Sequence, residues 1–129
     1  MKTSTLWSIL RARALGIPSP VQVGFELTHQ CNLDCSYCDR HTKLPSEMTF
    51  EQIETALRGL HRIGMHEISL DGGEPLTHPR VLDVVELLAE LGVVTRMNTN
   101  GILVPKRRDV IRRLSKVKIS LDGPEEIHD

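Results

Sequence analysis

All three cysteines of this 129-residue chain lie in one short segment, CNLDCSYC, at residues 31–38. Closely spaced thiolates on one loop are typical ligands of zinc and of iron–sulfur clusters. Three thiols are one ligand short of a closed tetrahedral zinc site, and on a four-iron cluster they leave one iron without a protein ligand. The spacing of Cys31, Cys35 and Cys38 therefore predicts a metal site with one position open to another ligand.

Two alternatives compete with a catalytic iron–sulfur cluster. His29 or His41 would complete a zinc site of three cysteines and one histidine, and the protein would then be a non-catalytic metal-binding module, as it would be with an electron-transfer cluster. Structural zinc usually takes its ligands from two separated pairs, whereas these cysteines form one compact group. Buried structural cysteines are a poorer explanation, because the residues between them are mostly polar.

Hydrophobic periodicity from residue 21 onward predicts strands that alternate with helices. The predicted strands cover residues 21–27, 67–70, 93–98 and 116–122, and the predicted helices cover residues 49–64, 79–91 and 107–115. Because strands that alternate with helices form parallel sheets, this order predicts an α/β fold.

The first 20 residues are predicted to form a helix and a proline-containing linker. The apolar residues that fall on one face of this helix are Leu6, Ile9, Leu10 and Ala14. Gly16, Pro18 and Pro20 end the helix. We therefore expect a helix that packs against a main domain of residues 21–129.

Apolar and polar side chains alternate in three of the four predicted strands. The first strand places Val23 and Phe25 on one face and Glu26 on the other, and only the third strand alternates poorly. A doubly wound sheet has helices on both faces, and its strands are continuously apolar. A single apolar face instead predicts a curved, barrel-like sheet with a polar concave side. The unusual loops after the strands then meet at its C-terminal rim, where we expect the active site.

The spacing CxxxCxxC, with Tyr37 before the last cysteine, resembles the signature of radical S-adenosylmethionine (SAM) enzymes. The motif GGEP at residues 72–75 is similar to the family's SAM-binding motif. The resemblance implies a partial parallel (β/α) barrel, with about four of the family's six β/α units present. It also implies a 4Fe–4S cluster on the three cysteines, with SAM on the open iron. Such a cluster, when reduced, cleaves SAM to a 5′-deoxyadenosyl radical that abstracts hydrogen from a substrate.

The same resemblance assigns further site residues. Gly72, Gly73 and Glu74 would bind the amino group of SAM, and Asn98 and Ser120 would contact its methionine and ribose parts. No side chain is assigned as catalytic, since the cofactor supplies the chemistry. The resemblance also implies a reductant such as flavodoxin or ferredoxin, and a substrate, either a peptide or a small molecule, that the sequence does not identify.

The last ten residues resemble one branch of the family. The segment SLDGPEEIHD, at residues 120–129, is similar to members that often carry a C-terminal auxiliary iron–sulfur domain of the SPASM type. The chain stops after four β/α units, so we expect a truncated protein, or one that another chain completes, with the fourth strand exposed as an edge. We expect it to release little 5′-deoxyadenosine alone, because a half-open barrel shields a radical poorly from water.

Several sequence features argue against other functions. The formal net charge of −1 argues neither for nor against an anionic partner, but no apolar run reaches the ~20 residues of a membrane helix. Arg11 and Arg13 interrupt the N-terminal apolar region, so no signal peptide is predicted and we expect a cytoplasmic protein. The basic segment of residues 105–118 predicts a helix whose basic side chains face solvent. We expect neither a membrane nor a nucleic-acid partner.

Overall fold

The computed structural model describes residue 10 and residues 14–16, 21–38, 46–121 and 123. Its central element is a four-stranded parallel sheet. The strands are β1 (Gln22–Thr28), β2 (Glu67–Gly72), β3 (Val94–Thr99) and β4 (Lys116–Ile119). They lie in the order β1-β2-β3-β4, so each strand pairs with the next one in the chain. A (β/α) barrel has this sequential order, whereas a doubly wound sheet reverses its order at a switch point.

Helices connect the strands. The long helices α1 (Phe50–Arg62) and α2 (Val81–Glu90) precede β2 and β3, and a short α3 (Arg108–Ile111) precedes β4. Single 3-10 turns cover Pro75–Thr77 and Val104–Lys106. Within the residues that the structure describes, no helix has the length and apolar composition needed to cross a membrane.

The last β/α unit is shorter than the sequence predicts. The predicted helix of residues 107–115 is reduced to α3, because Ser115 already donates its N–H to the Thr95 carbonyl of β3 at 2.8 Å. The chain must therefore leave the helix before Ser115 in order to join the sheet. β4 ends at Ile119 rather than at residue 122.

Little of the predicted N-terminal unit falls within the described residues. Residues 10 and 14 are helical, as the sequence predicts, and Leu10 is half exposed. Leu6, Ile9 and the linker of residues 17–20 lie outside the described residues, as do residues 124–129. The division of the chain at residue 20 therefore stays a prediction.

The hydrophobic core lies between one face of the sheet and the helices. Ile68, Leu70 and Met97 of the sheet are fully buried and belong to one apolar cluster with Ile53 and Leu57 of α1. The other buried members of this cluster are Leu27, Met65, Leu76, Val81, Val84, Val85, Leu87, Leu88, Val93 and Val110. The helices thus cover the apolar face, as the alternation predicts.

The opposite face of the sheet carries polar side chains. Glu26 of β1 pairs in register with Asp71 of β2, and Asn98 of β3 pairs in register with Lys118 of β4. A hydrogen bond from the Asn98 side chain to the Asp71 carboxylate joins the two pairs. A row of four polar residues therefore crosses the sheet near the C-terminal ends of its strands.

β4 forms one edge of the described sheet. Val117 is half-buried, whereas Ile119 and Leu121 are 57% and 75% exposed. These three apolar residues lie two positions apart, so their side chains share one face, as in a strand that packs one face against a core. Within residues 46–121, that core does not extend to the C-terminal end of β4, so its apolar face is open there.

Several side chains of the basic segment serve the fold. The Arg107 guanidinium donates to the Leu76 carbonyl at 3.2 Å, and Arg113 forms an ion pair with Glu86 of α2 at 3.0 Å. Val110 is fully buried. These contacts account for part of the basic composition by packing α3 against its neighbours.

Candidate functional site

The cysteine loop begins directly after β1. Cys31 is exposed, Cys35 and Cys38 are half-buried, and none of the three forms a disulfide. The Cys38 N–H donates to the Cys35 carbonyl at 3.0 Å, which closes a turn that contains Tyr37. The Tyr37 side chain is 69% exposed. The loop therefore keeps its sulfur atoms and its aromatic ring outside the hydrophobic core, which argues against a structural role for the cysteines.

A neighbouring loop fixes the point where the cysteine loop leaves β1. Glu47 accepts hydrogen bonds from the Thr28 hydroxyl and, at 3.0 Å, from the backbone N–H of His29. Partial burial acts to raise the pKa of Glu47, but these hydrogen bonds outweigh it, so its pKa lies below the ordinary value. The His29 side chain is not among those that line the cavity described below.

Gly72 and Gly73 place the end of β2 against the end of β1. The N–H groups of Gly73 and Glu74 donate to the carbonyls of Thr28 and Gln30, each at 2.8 Å. A Cβ atom on Gly73 would lie 2.3 Å from the Gln30 carbonyl oxygen. A Cβ atom on Gly72, whose φ is 125°, would lie 2.2 Å from the Thr28 carbonyl oxygen. Both positions therefore require glycine for the packing of the two loops.

Glu74 follows the two glycines in the sequence and does not line the cavity. Its carboxylate is fully buried and accepts hydrogen bonds from the Leu76 N–H at 3.0 Å, the Thr99 hydroxyl at 2.8 Å and the Asn100 N–H at 2.8 Å. The sequence resemblance assigns this carboxylate to the amino group of SAM. In the structure the carboxylate satisfies buried donors and joins the β2 loop to the end of β3, and its assignment to the amino group stays a prediction.

The ends of β3 and β4 complete the rim. The side-chain amide of Asn100 donates to Asn32 Oδ1 at 2.9 Å, so the loop after β3 contacts the cysteine loop directly. Asn98 of β3 and its hydrogen-bond partner Asp71 of β2 lie on the same face of the sheet. Ser120 donates its N–H to the last carbonyl of β3 at 2.9 Å, which fixes its position just beyond β4. The C-terminal ends of all four strands thus meet.

These strand ends enclose a cavity of about 300 Å³, a size within the range of small-ligand sites. The predicted site residues that line it are Cys31, Cys35, Cys38, Gly72, Gly73, Asn98 and Ser120. Leu33, Tyr37, Asp71, Thr99 and Asn100 line it as well. Asp71 is not among the residues predicted for the site. The sequence nevertheless indicates that it lies on the polar face of the sheet, because it follows Ser69 by two residues and residues two apart on a strand share one face.

The donor set of the cavity fits an iron–sulfur cluster. Cluster irons take thiolates from closely spaced cysteines, and each thiol binds a different iron. In the described part of the chain, no three side chains of His, Cys, Asp or Glu lie close enough together to hold a single metal ion. His41, one of the two candidate zinc ligands, lies outside the described residues.

Three cysteines and a glycine pair, on the rim of a sequentially ordered parallel sheet, define an α/β protein of the radical SAM type. The chain belongs to the Radical SAM superfamily, whose family model matches residues 25–129. The family uses a 4Fe–4S cluster and SAM. All the residues that line the cavity lie within the matched range.

Curated relatives are similar over most of this chain. The probable GTP 3′,8-cyclase of Pyrococcus horikoshii is 37% identical over 102 residues, which cover 74% of this chain and 32% of that protein. The PqqA peptide cyclase of Rhodopseudomonas palustris is 32% identical over 120 residues, which cover 88% of this chain and 31% of that protein. The chain therefore spans about a third of the length of these relatives.

Solved structures share the fold. BtrN in complex with AdoMet and 2-DOIA matches with a TM-score of 0.66 at 25% identity, covering 77% of this chain and 44% of that chain. Streptococcus suis SuiB bound to its precursor peptide SuiA matches with a TM-score of 0.65 at 20% identity, covering 88% of this chain and 26% of that chain. The likeness to SuiB shows the fold alone. The predicted partial (β/α) barrel is confirmed.

Proposed function

We propose that residues 21–129 form the first part of a radical SAM enzyme core, preceded by a helix and linker of residues 1–20. The observation that carries this proposal is the cavity, which brings Cys31, Cys35 and Cys38 together with Gly72 and Gly73 at the ends of two neighbouring strands. Family membership supports the same function.

The residues around the cavity have distinct roles in this proposal. The three thiolates hold a 4Fe–4S cluster, and the backbone of Gly72 and Gly73 approaches the amino group of SAM because no side chain intervenes. Asn98 and Ser120 offer an amide and a hydroxyl to the methionine and ribose parts. Glu74 acts indirectly, by holding the loop that contains the glycines.

A 4Fe–4S cluster held by Cys31, Cys35 and Cys38, with SAM bound beside it, would supply reductive radical chemistry for hydrogen abstraction from the substrate, so no side chain is assigned as catalytic. The polar row of Glu26, Asp71, Asn98 and Lys118 continues from the cavity onto the sheet. We therefore propose a polar substrate, either a small molecule or a peptide, and the relatives are named for GTP and for a peptide. A donor such as flavodoxin or ferredoxin would reduce the cluster in the cytoplasm.

Anaerobic reconstitution with iron and sulfide tests the cluster. We expect a brown protein with about four irons per chain and thiolate-to-iron charge-transfer absorbance. Cys31→Ala, Cys35→Ala and Cys38→Ala should each lose most of this iron. Ser36→Ala changes an exposed residue of the same loop and should keep it. A colourless chain that retains a single tightly bound zinc ion would contradict the proposal.

A further inference from the structure

The segment DGGE contains two carboxylates, and the structure gives them different surroundings. Both oxygens of Glu74 are occupied: Oε1 accepts from Leu76 and Thr99, and Oε2 accepts from Asn100. The Glu74 side chain is fully buried away from the cavity. Its charge is therefore already stabilised by the protein, and it is poorly placed to contact a ligand. Asp71, three residues earlier, lines the cavity.

The Asp71 carboxylate is only partly satisfied by the protein. Its Oδ1 atom accepts hydrogen bonds from the Ser69 hydroxyl at 3.2 Å and from the Asn98 side-chain amide. Both donors are neutral, and among the described residues Asp71 has no ion-pair partner. A half-buried carboxylate without a cation on the wall of a cavity favours a positively charged ligand at that wall.

SAM carries a positive charge that matches this position. Its sulfonium sulfur joins the methionine part to the ribose part. In the proposed function, Gly72 and Gly73 hold the amino group, and Asn98 contacts the methionine and ribose parts. Asp71 directly precedes Gly72 and is hydrogen-bonded to Asn98, so it lies between these two groups of contacts.

We infer that Asp71, and not Glu74, supplies the negative charge that contacts the sulfonium group of SAM. This inference rests on the proposed function. Glu74 is then a positioning residue that acts through the β2 and β3 loops. The contact selects SAM over ligands with a neutral sulfur, because attraction between opposite charges is lost when either charge is removed.

Dissociation constants of SAM and S-adenosylhomocysteine test the inference on the anaerobically reconstituted chain, by equilibrium dialysis. S-adenosylhomocysteine keeps the amino group and the ribose but has a neutral sulfur. Asp71→Asn keeps the size of the side chain and removes its charge. We expect this variant to bind SAM about tenfold more weakly and S-adenosylhomocysteine within about twofold of the unmodified chain. The selectivity for SAM should therefore fall about tenfold.

Glu54→Gln is the control, because it also removes one carboxylate charge, and Glu54 pairs with Arg58 on α1 and does not line the cavity. It should bind both ligands within about twofold of the unmodified chain. Equal weakening of both ligands in Asp71→Asn, with unchanged circular dichroism, would overturn the sulfonium contact, as would unchanged affinity for both. Asp71→Ser replaces Asp71→Asn if the amide disturbs folding. An unmodified chain that loads its cluster but binds neither ligand contradicts the proposed function itself.

Discussion

Glu74 is a buried carboxylate whose three hydrogen-bond donors come from two different strand ends. Leu76 belongs to the turn after β2, whereas Thr99 and Asn100 belong to the end of β3. A buried charge is stable only when it is fully hydrogen-bonded, and its donors in turn need an acceptor. Glu74 therefore fixes the spacing between two loops that line the cavity, although it does not line the cavity itself.

Replacing this carboxylate should destabilise the whole domain. Glu74→Gln leaves an amide group that cannot accept from all three donors, so we expect the free energy of unfolding to fall by about 2–4 kcal/mol. Urea unfolding of the metal-free chain measures this change. Glu54→Gln is the control, because Glu54 pairs with Arg58 on the exposed side of α1 and should change stability by less than ~1 kcal/mol. Equal unfolding midpoints for the two variants would contradict the prediction.

At the scale of elements, the loops after β1 and β2 pack too closely to admit a side chain between them. A Cβ atom on Gly73 would meet the Gln30 carbonyl oxygen at 2.3 Å, and backbone atoms at this distance must move apart. The cysteine loop follows Gln30 directly. The glycine pair therefore sets the distance between the cysteine loop and the end of β2.

Gly73→Ala and Gly59→Ala form a matched pair of substitutions that tests this packing. We expect Gly73→Ala to lower the free energy of unfolding by at least ~2 kcal/mol, because the backbone must shift. Gly59 lies within α1 with no atom within 4 Å of the added Cβ, so Gly59→Ala should raise stability by about 0.5–1 kcal/mol. Urea unfolding of both variants measures whether each substitution lowers or raises the free energy of unfolding. A Gly73→Ala variant as stable as Gly59→Ala would show that the loops are not packed in this way.

The sequence predicts the bounds of most elements where local periodicity is clear. It does not predict the features that depend on tertiary contacts. β1, β2 and α1 lie within one or two residues of their predicted bounds because their apolar spacing is regular. β3 alternates poorly in the sequence because Thr95 and Thr99, which are polar, occupy buried positions. The position of Glu74 depends on donors 25 and 26 residues later in the chain, which no local pattern indicates.

At the scale of the whole molecule, two groups near the end of β1 link stability to pH. His78 is 5% exposed, and burial lowers its pKa below the ordinary value of 6.5, against the opposing effect of the Glu47 charge and with the help of Arg80. Its Nδ1 atom accepts the Arg80 N–H at 3.2 Å, and protonation would remove that acceptor. The unfolded chain therefore binds a proton at His78 more readily than the folded chain does.

Stability should fall as the pH is lowered. Below about pH 6.5 the unfolded state takes up the His78 proton first, and near pH 4.5 and below the favourable contribution of Glu47 is lost as its carboxylate is protonated. We expect the urea midpoint of the metal-free chain to decrease from pH 7 to pH 4. His78→Gln should remove the part of this decrease between pH 7 and pH 5. A midpoint that stays constant or rises over this interval in the unmodified chain would contradict the prediction.

The iron without a protein ligand is the centre of the proposed function, and electron paramagnetic resonance of the reduced, reconstituted chain observes it directly. We predict the signal of a reduced 4Fe–4S cluster, with g values that shift when SAM is added, because SAM becomes a ligand of the iron that Cys31, Cys35 and Cys38 leave open. A cluster signal that SAM leaves unchanged would contradict the claim that this open position is the SAM site.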